Sequence, residues 1–230
     1  MSWHSVASAQ AAGAGEGKRE LTPFEEKVRA VLLAHPEILT EMLEELRARE
    51  TAARIAPLRE ELEKPYHGAW FGAVNGDVTV VEFLDYACPH CRAMASRVEQ
   101  LVKEDPGVKV VVRALPILGP ESDVAAVQSL AAAEAMRFAD YHRTIWQTDD
   151  ALGPEVLARA AKAADLETPV ANAAARRAEI DKNMELARSL RVAGTPTFII
   201  GDTVLSGEPS LVDLQRAVAA ARARSGLVPD

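Results

Sequence analysis

From the N-terminus, apolar residues first recur at helical spacing. Phe24, Val28, Val31 and Leu32 fall on one face of a helix that Thr22 opens as N-cap, with Pro23 at the first helical position and Glu25 reaching back in a capping box. Pro36 ends that helix and opens a second, striped by Leu39, Met42, Leu43 and Leu46. Between Arg47 and Arg54 the stripe thins to alanines among charges. It resumes at Ile55, Leu58 and Leu62, where Pro57 is predicted to kink or break it. An amphipathic helix must bury its apolar face on something, so this extension is expected either to fold back on its own domain or to associate with further copies.

After Pro65 the period shortens. "AWFGAVNGDVTVVEF" reads as a strand, a turn at Asn75-Gly76-Asp77 and a buried strand from Val78 to Phe83. "CRAMASRVEQLVKE" returns to helical spacing through about Glu104, and "VKVVVRAL" (108 to 115) is the next strand, giving a strand, helix, strand unit with Cys88 at the helix N-terminus. Residues 121 to 190 are alanine-rich and helical, with Ser122 as the expected cap. "TPTFII" and "DTVLSG" then form two short strands before a last helix over about 209 to 224. The pattern predicts an α/β fold in which a helical block separates two halves of one sheet. The expected organisation is a disordered tail over 1–20, a helical oligomerisation extension over 21–65, a catalytic domain over 66–120 and 191–230, and an inserted helical subdomain over 121–190.

Composition narrows the setting. With 48% hydrophobic and 26% charged residues the chain reads as globular, and a net charge of -8 argues against a nucleic-acid partner, which needs a basic stripe. No stretch approaches the roughly 18 consecutive apolar residues of a membrane span. Within the small-residue N-terminus, "ASAQAAG" resembles the tail of a secretory signal with an A-x-A cleavage pattern. A protein that is periplasmic or otherwise exported, with its signal peptide removed, is therefore expected, although a flexible cytosolic tail would look the same.

The only cysteines, Cys88 and Cys91, stand in "VEFLDYACPHCRAM" with Pro89 and His90 between them. Such a pair can be a structural disulfide, half of a metal site, or a dithiol that cycles between reduced and oxidised forms. A four-residue loop stabilises by only about 2 kcal/mol in the chain-entropy formula, against about 4.7 for a hundred-residue loop, so stability is a weak reason for it. A tetrahedral zinc site needs a second Cys or His pair, whereas His4, His35, His67 and His142 each stand alone in sequence. Redox chemistry is the reading best supported.

"EFLDYACPHC", "PILGPES" and "AGTPTFIIGD", with the helical block between them, resemble the thioredoxin superfamily and, within it, the bacterial DsbA family of thiol-disulfide oxidoreductases. The resemblance covers about residues 68 to 224. It implies a thioredoxin-like fold with Cys88 as nucleophile, Cys91 as resolving thiol, Pro196 as a cis-proline facing the pair, and Glu82 as a buried acid that assists proton transfer. No cofactor is implied beyond a redox-active Cys88–Cys91 disulfide.

Physical chemistry agrees with those roles. Free amide donors at a helix N-terminus favour the thiolate of Cys88. His90 adds a hydrogen bond or charge that makes the pair more oxidising, unless it is a solvent-exposed spacer. Glu82 interrupts an apolar strand, which is costly unless it has a task or a salt bridge at a sheet edge. A cis bond at Thr195-Pro196 would present backbone groups to an extended substrate, whereas a trans-proline would simply begin a strand.

The amphipathic extension and Thr195 also resemble the ScsC (suppressor of copper sensitivity) branch, which implies a homo-oligomer, with a trimer favoured. That branch usually carries Pro-Tyr between the cysteines. Pro89-His90 is typical of the DsbA oxidase, in which valine usually precedes the cis-proline. Isomerase or reductase activity on protein substrates, with a membrane redox partner, is expected in preference to monomeric disulfide donation. A Cu(I) site at Cys88 and Cys91 is the reading from another class, since soft thiolates suit that ion.

Overall fold

The computed structural model describes residues 20–148, 150–166 and 173–226. Apart from Glu20, the tail expected over 1–20 lies outside them. The chain divides into two units, Met1–Glu45 and Leu46–Asp230.

The first unit holds helix α1 (Pro23–Ala34) and the start of α2 (Glu37–Ile55). Thr22 caps α1 as the sequence predicts: its hydroxyl accepts from the Glu25 amide at 3.3 Å, and the Glu25 carboxylate accepts from the Thr22 amide at 2.8 Å. No residue of α1 is buried. Phe24 is 75% exposed and Met42 61%, so the stripes find no cover within this unit. Leu21, Phe24, Val28, Leu32, Leu33 and Leu39 line an apolar groove of about 440 Å³.

In the second unit α2 runs on to Ile55, and a 3-10 turn (Ala56–Leu58) leads into α3 (Arg59–Glu63). Pro57 thus changes the helix type without dispersing the segment. Ile55 and Leu62, read from the sequence as part of the extension, are buried with Phe83, Leu115, Leu186 and Ile199 beneath one face of the sheet. A buried arginine fixes them there. The Arg113 guanidinium donates to the carbonyls of Leu62 (3.1 Å), Lys64 (2.6 Å) and Glu61, and to Glu179 at 2.8 Å. It satisfies carbonyls that the end of α3 leaves without helical partners.

The remaining elements are β1 (Trp70–Gly72), β2 (Val78–Leu84), α4 (Pro89–Glu104), β3 (Val108–Ala114), α5 (Pro120–Glu134), α6 (Phe138–Trp146), α7 (Pro154–Ala163), α8 (Ala173–Ser189), β4 (Thr197–Ile200), β5 (Thr203–Ser206) and α9 (Leu211–Ser225). The sheet order is β1-β3-β2-β4-β5. β2 runs parallel to β3 and antiparallel to β4, so the strands on either side of the helical block meet at the centre. Val80 and Leu84 join the larger core with Met94 and Leu101 of α4, while Val81 and Phe83 join the core beneath the other face. Strand alternation therefore turns Glu82 toward α4.

One expectation at the helical block is corrected. Ser122 does not cap α5. The helix begins at Pro120 with Gly119 as N-cap at φ 147°, because proline at the first helical position has its φ already set. The Ser122 hydroxyl is instead buried without a hydrogen-bond partner.

Candidate redox site

Cys88 is the N-cap of α4 and Pro89 its first helical residue, so the dithiol occupies the helix N-terminus. Both thiols are free. Cys88 is 5% exposed and Cys91 1%, so the attacking sulfur is more covered than its expected role suggests. Its cover comes from across the sheet, where the Thr195 carbonyl accepts from the Cys88 thiol at 3.3 Å. The Thr195-Pro196 bond is cis. Two hydrogen bonds hold this turn: the Thr197 hydroxyl donates to the Gly194 carbonyl at 2.7 Å, and the Gly207 amide to the Pro196 carbonyl at 2.9 Å.

Burial pushes the Cys91 thiol well above the usual thiol range, against a hydrogen bond from the Asp85 backbone, and the nearby Glu82 carboxyl adds to the rise. Burial alone pushes Glu82 up to about 8. Glu82 lies between Val112 and Phe198 on the central strand, so the sheet-edge salt bridge does not apply. A buried acid and a buried thiol thus both favour their protonated forms.

His90 is exposed, and its Nδ1 lies 2.7 Å from a carboxylate oxygen of Glu208, whose other oxygen is 3.7 Å from Arg97. Sequence reasoning missed Glu208, which lies 118 residues from His90 in a loop with no local pattern. It also missed the site's two supports. Asp85, a polar residue closing an apolar strand within the quoted motif, accepts from the amides of Ala87, Ile117 and Leu118. His142, read as solitary, is buried between Tyr86 and Trp146. The Trp146 indole donates to its Nε2 at 3.0 Å, so the proton sits on Nδ1, which donates to the Tyr86 hydroxyl at 3.1 Å. Burial lowers the His142 pKa to about 3. Arg92 places its guanidinium 5.7 Å from the Trp146 ring centroid, joining the start of α4 to α6 a second time. Among the described residues no group of three or more His, Cys, Asp or Glu could hold a metal ion.

Known proteins resemble this chain in sequence and fold. The family model described as Thioredoxin matches residues 65–220, and the model described as Copper resistance protein ScsC N-terminal domain matches residues 22–53. The Na(+)/H(+) antiporter NhaA 3 of Salinispora tropica is 32% identical over 165 residues, which are 69% of this chain and 25% of the antiporter. The chain spans about a quarter of the length of the curated relatives it matches, and none of its described helices is long and apolar enough to cross a membrane. A linker-deletion mutant of Proteus mirabilis ScsC is similar with a TM-score of 0.71 and 26% identity, over 90% of this chain and 100% of that one. The thiol-disulfide exchange protein alpha-DsbA2 of Wolbachia pipientis follows with a TM-score of 0.69 and 27% identity, over 76% and 97% of the two chains. Since the matched region takes in the sheet, both cysteines and Pro196, the chain belongs to the thioredoxin family, within which it is similar to ScsC- and DsbA-like thiol-disulfide proteins.

Proposed function

We propose that the chain exchanges disulfides in polypeptide substrates through Cys88 and Cys91, as an isomerase or reductase within an exported homo-oligomer, a trimer by resemblance. The observation that carries this reading is the placement of Cys88 at the N-cap of α4 against the Thr195 carbonyl, with Cys91 buried in the first turn behind it. The Cys88 sulfur attacks one sulfur of a substrate disulfide, and the other leaves as a thiolate that takes a proton from water. In the fraction of molecules in which Glu82, held mainly protonated, is ionised, Cys91 gives it a proton and attacks Cys88. A second substrate thiol is released and Cys88–Cys91 becomes the disulfide, so two electrons pass to the substrate. A membrane redox partner would return them. In isomerisation a substrate thiolate displaces Cys88 instead, with no net electron transfer.

The exposed stripes of α1 and α2 support assembly, which would let several sites act on one bound substrate. Periplasmic export suits a reaction whose substrates keep their disulfides only in oxidising compartments. The Cys91→Ser protein is expected to accumulate mixed disulfides with a scrambled polypeptide and the Cys88→Ser protein none. Adducts on Cys88→Ser alone, or on neither, would overturn the assignment. Refolding of scrambled ribonuclease beside insulin reduction separates isomerase from disulfide donor.

The match to the copper resistance domain favours a second reading, in which the paired thiolates hold Cu(I) in linear two-sulfur coordination. Competition against a Cu(I) chelator should then show binding by the reduced protein and none by the oxidised one. Equal affinity in both states would remove the dithiol from this reading.

A further inference from the structure

The loop 207–210 joins β5 to α9. Its first residue is tied to the reactive turn: the Gly207 amide donates to the Pro196 carbonyl at 2.9 Å, and Pro196 follows Thr195, whose carbonyl accepts from the Cys88 thiol at 3.3 Å. Its second residue, Glu208, returns to the dithiol's own helix. One carboxylate oxygen lies 2.7 Å from Nδ1 of His90 and the other 3.7 Å from Arg97, two residues about two turns apart on one face of α4. These contacts close a ring that runs from Cys88 through Thr195, Pro196, Gly207 and Glu208 to His90, and back along the helix start to Cys88.

The ring limits what His90 can offer the dithiol. An ionised carboxylate only accepts, so the proton of a neutral imidazole sits on Nδ1, aimed at Glu208, and Nε2 is left bare. A bare nitrogen cannot donate to a sulfur. A doubly protonated ring would still divide its positive charge between the thiolate and the carboxylate.

We infer that Glu208 is a positioning residue that holds His90 away from service to the Cys88 thiolate and so makes the dithiol more reducing than its Cys-Pro-His-Cys sequence alone would. The inference rests on the thiol-disulfide exchange reading and gives it a direction, electrons flowing from Cys88 and Cys91 to a substrate disulfide. In the oxidised form neither sulfur carries a charge, and Glu208 has the imidazole to itself. In the reduced form thiolate and carboxylate compete for it. A group that interacts better with the oxidised form lowers the reduction potential.

The test equilibrates the full chain with buffers of reduced and oxidised glutathione and reads the reduced fraction by thiol trapping and mass spectrometry. Two glutathione thiols join as a disulfide, and their two electrons and two protons pass to Cys88 and Cys91, the Cys88 proton going on to water where the thiolate forms. Glu208→Gln keeps the side chain's size and removes its charge. It is expected to shift the equilibrium about five-fold toward the reduced dithiol, about 20 mV for a two-electron couple. In a His90→Ala background the same change should move it by less than about two-fold. Because the His90 and Glu208 side chains are 66% and 38% exposed, the difference between wild type and Glu208→Gln should also narrow in about 1 M salt. An unchanged or more reducing Glu208→Gln protein, an equal shift without His90, or a difference that salt leaves untouched would overturn the role. Should Glu208→Gln fail to fold, Glu208→Ala takes its place in the same comparisons. A wild type that equilibrates with glutathione but exchanges no disulfide of scrambled ribonuclease would sink the parent reading and leave the Glu208 result intact, which keeps the two failures distinct.

Discussion

Glu82 and Cys91 are both driven by burial toward their protonated forms, and each makes a measurable claim. With its thiol held well above the usual range and only 1% exposed, Cys91 should resist iodoacetamide at pH 7 while Cys88 reacts at least ten-fold faster. Peptide mass spectrometry of the partly alkylated protein checks this, and equal labelling would contradict it. For Glu82 the folded pKa of about 8 lies above the ordinary 4.5. Protonated in the native state and ionised in the unfolded chain, it contributes stability that is complete below 4.5 and lost as pH rises through 8, on the order of 5 kcal/mol across the window. The neutral Glu82→Gln protein should show a flatter fall in urea midpoint between pH 5 and pH 8. A slope equal to the wild type's would mean that Glu82 ionises freely in the fold.

Among the elements, α6 and α3 each lean on one buried group. His142 on α6 is held neutral, with its pKa lowered to about 3. Above pH 6.5 it is neutral in both states and adds no pH dependence. As pH falls from 6.5 toward 3 the unfolded chain takes the proton and the native one refuses it, so stability is lost across that window. Tryptophan fluorescence should report the acid unfolding through Trp146, and His142→Phe should shift its onset to lower pH. α3 depends on Arg113, and Arg113→Ala should cost about 3–5 kcal/mol in denaturant unfolding because Glu179 and the α3 carbonyls lose their shared donor. These contacts also mark the limit of what sequence could reveal. The β2–α4–β3 unit, the cap at Thr22 and the dithiol's place at a helix start follow from period, capping residues and spacing, all local signals. Arg113 reading the end of α3, Glu208 meeting His90, and Asp85 holding the 116–119 loop are pairings across tens of residues, and no periodicity encodes them. Ser122 was misplaced because a local rule, serine as cap, met a stronger one, proline at the first helical position.

For the whole molecule, the boundary between the two units decides which truncation is informative. Removing residues 1–45 takes away α1 and the exposed stripes as far as Leu43; by light scattering the full chain is expected to be an oligomer and this truncation a folded monomer. Removing 1–65 also strips Ile55 and Leu62 from the core and three carbonyl partners from Arg113. It should therefore be markedly less stable in denaturant than the shorter truncation. Two truncations of equal stability would show that residues 46–65 contribute nothing to the catalytic unit.

The contact between the Cys88 sulfur and the Thr195 carbonyl bridges 107 residues of chain, the whole of the helical block included. During synthesis the strand, helix and strand around the dithiol are complete long before β4 exists, and in refolding their local pairing closes sooner than the distant one. For that interval the nascent protein carries an uncovered pair of thiols at the end of an unfinished sheet. Cys88 is thus a clock for its own folding: its reactivity toward a pulse of alkylating reagent should stay high until β4 docks and fall when the turn at residue 195 arrives.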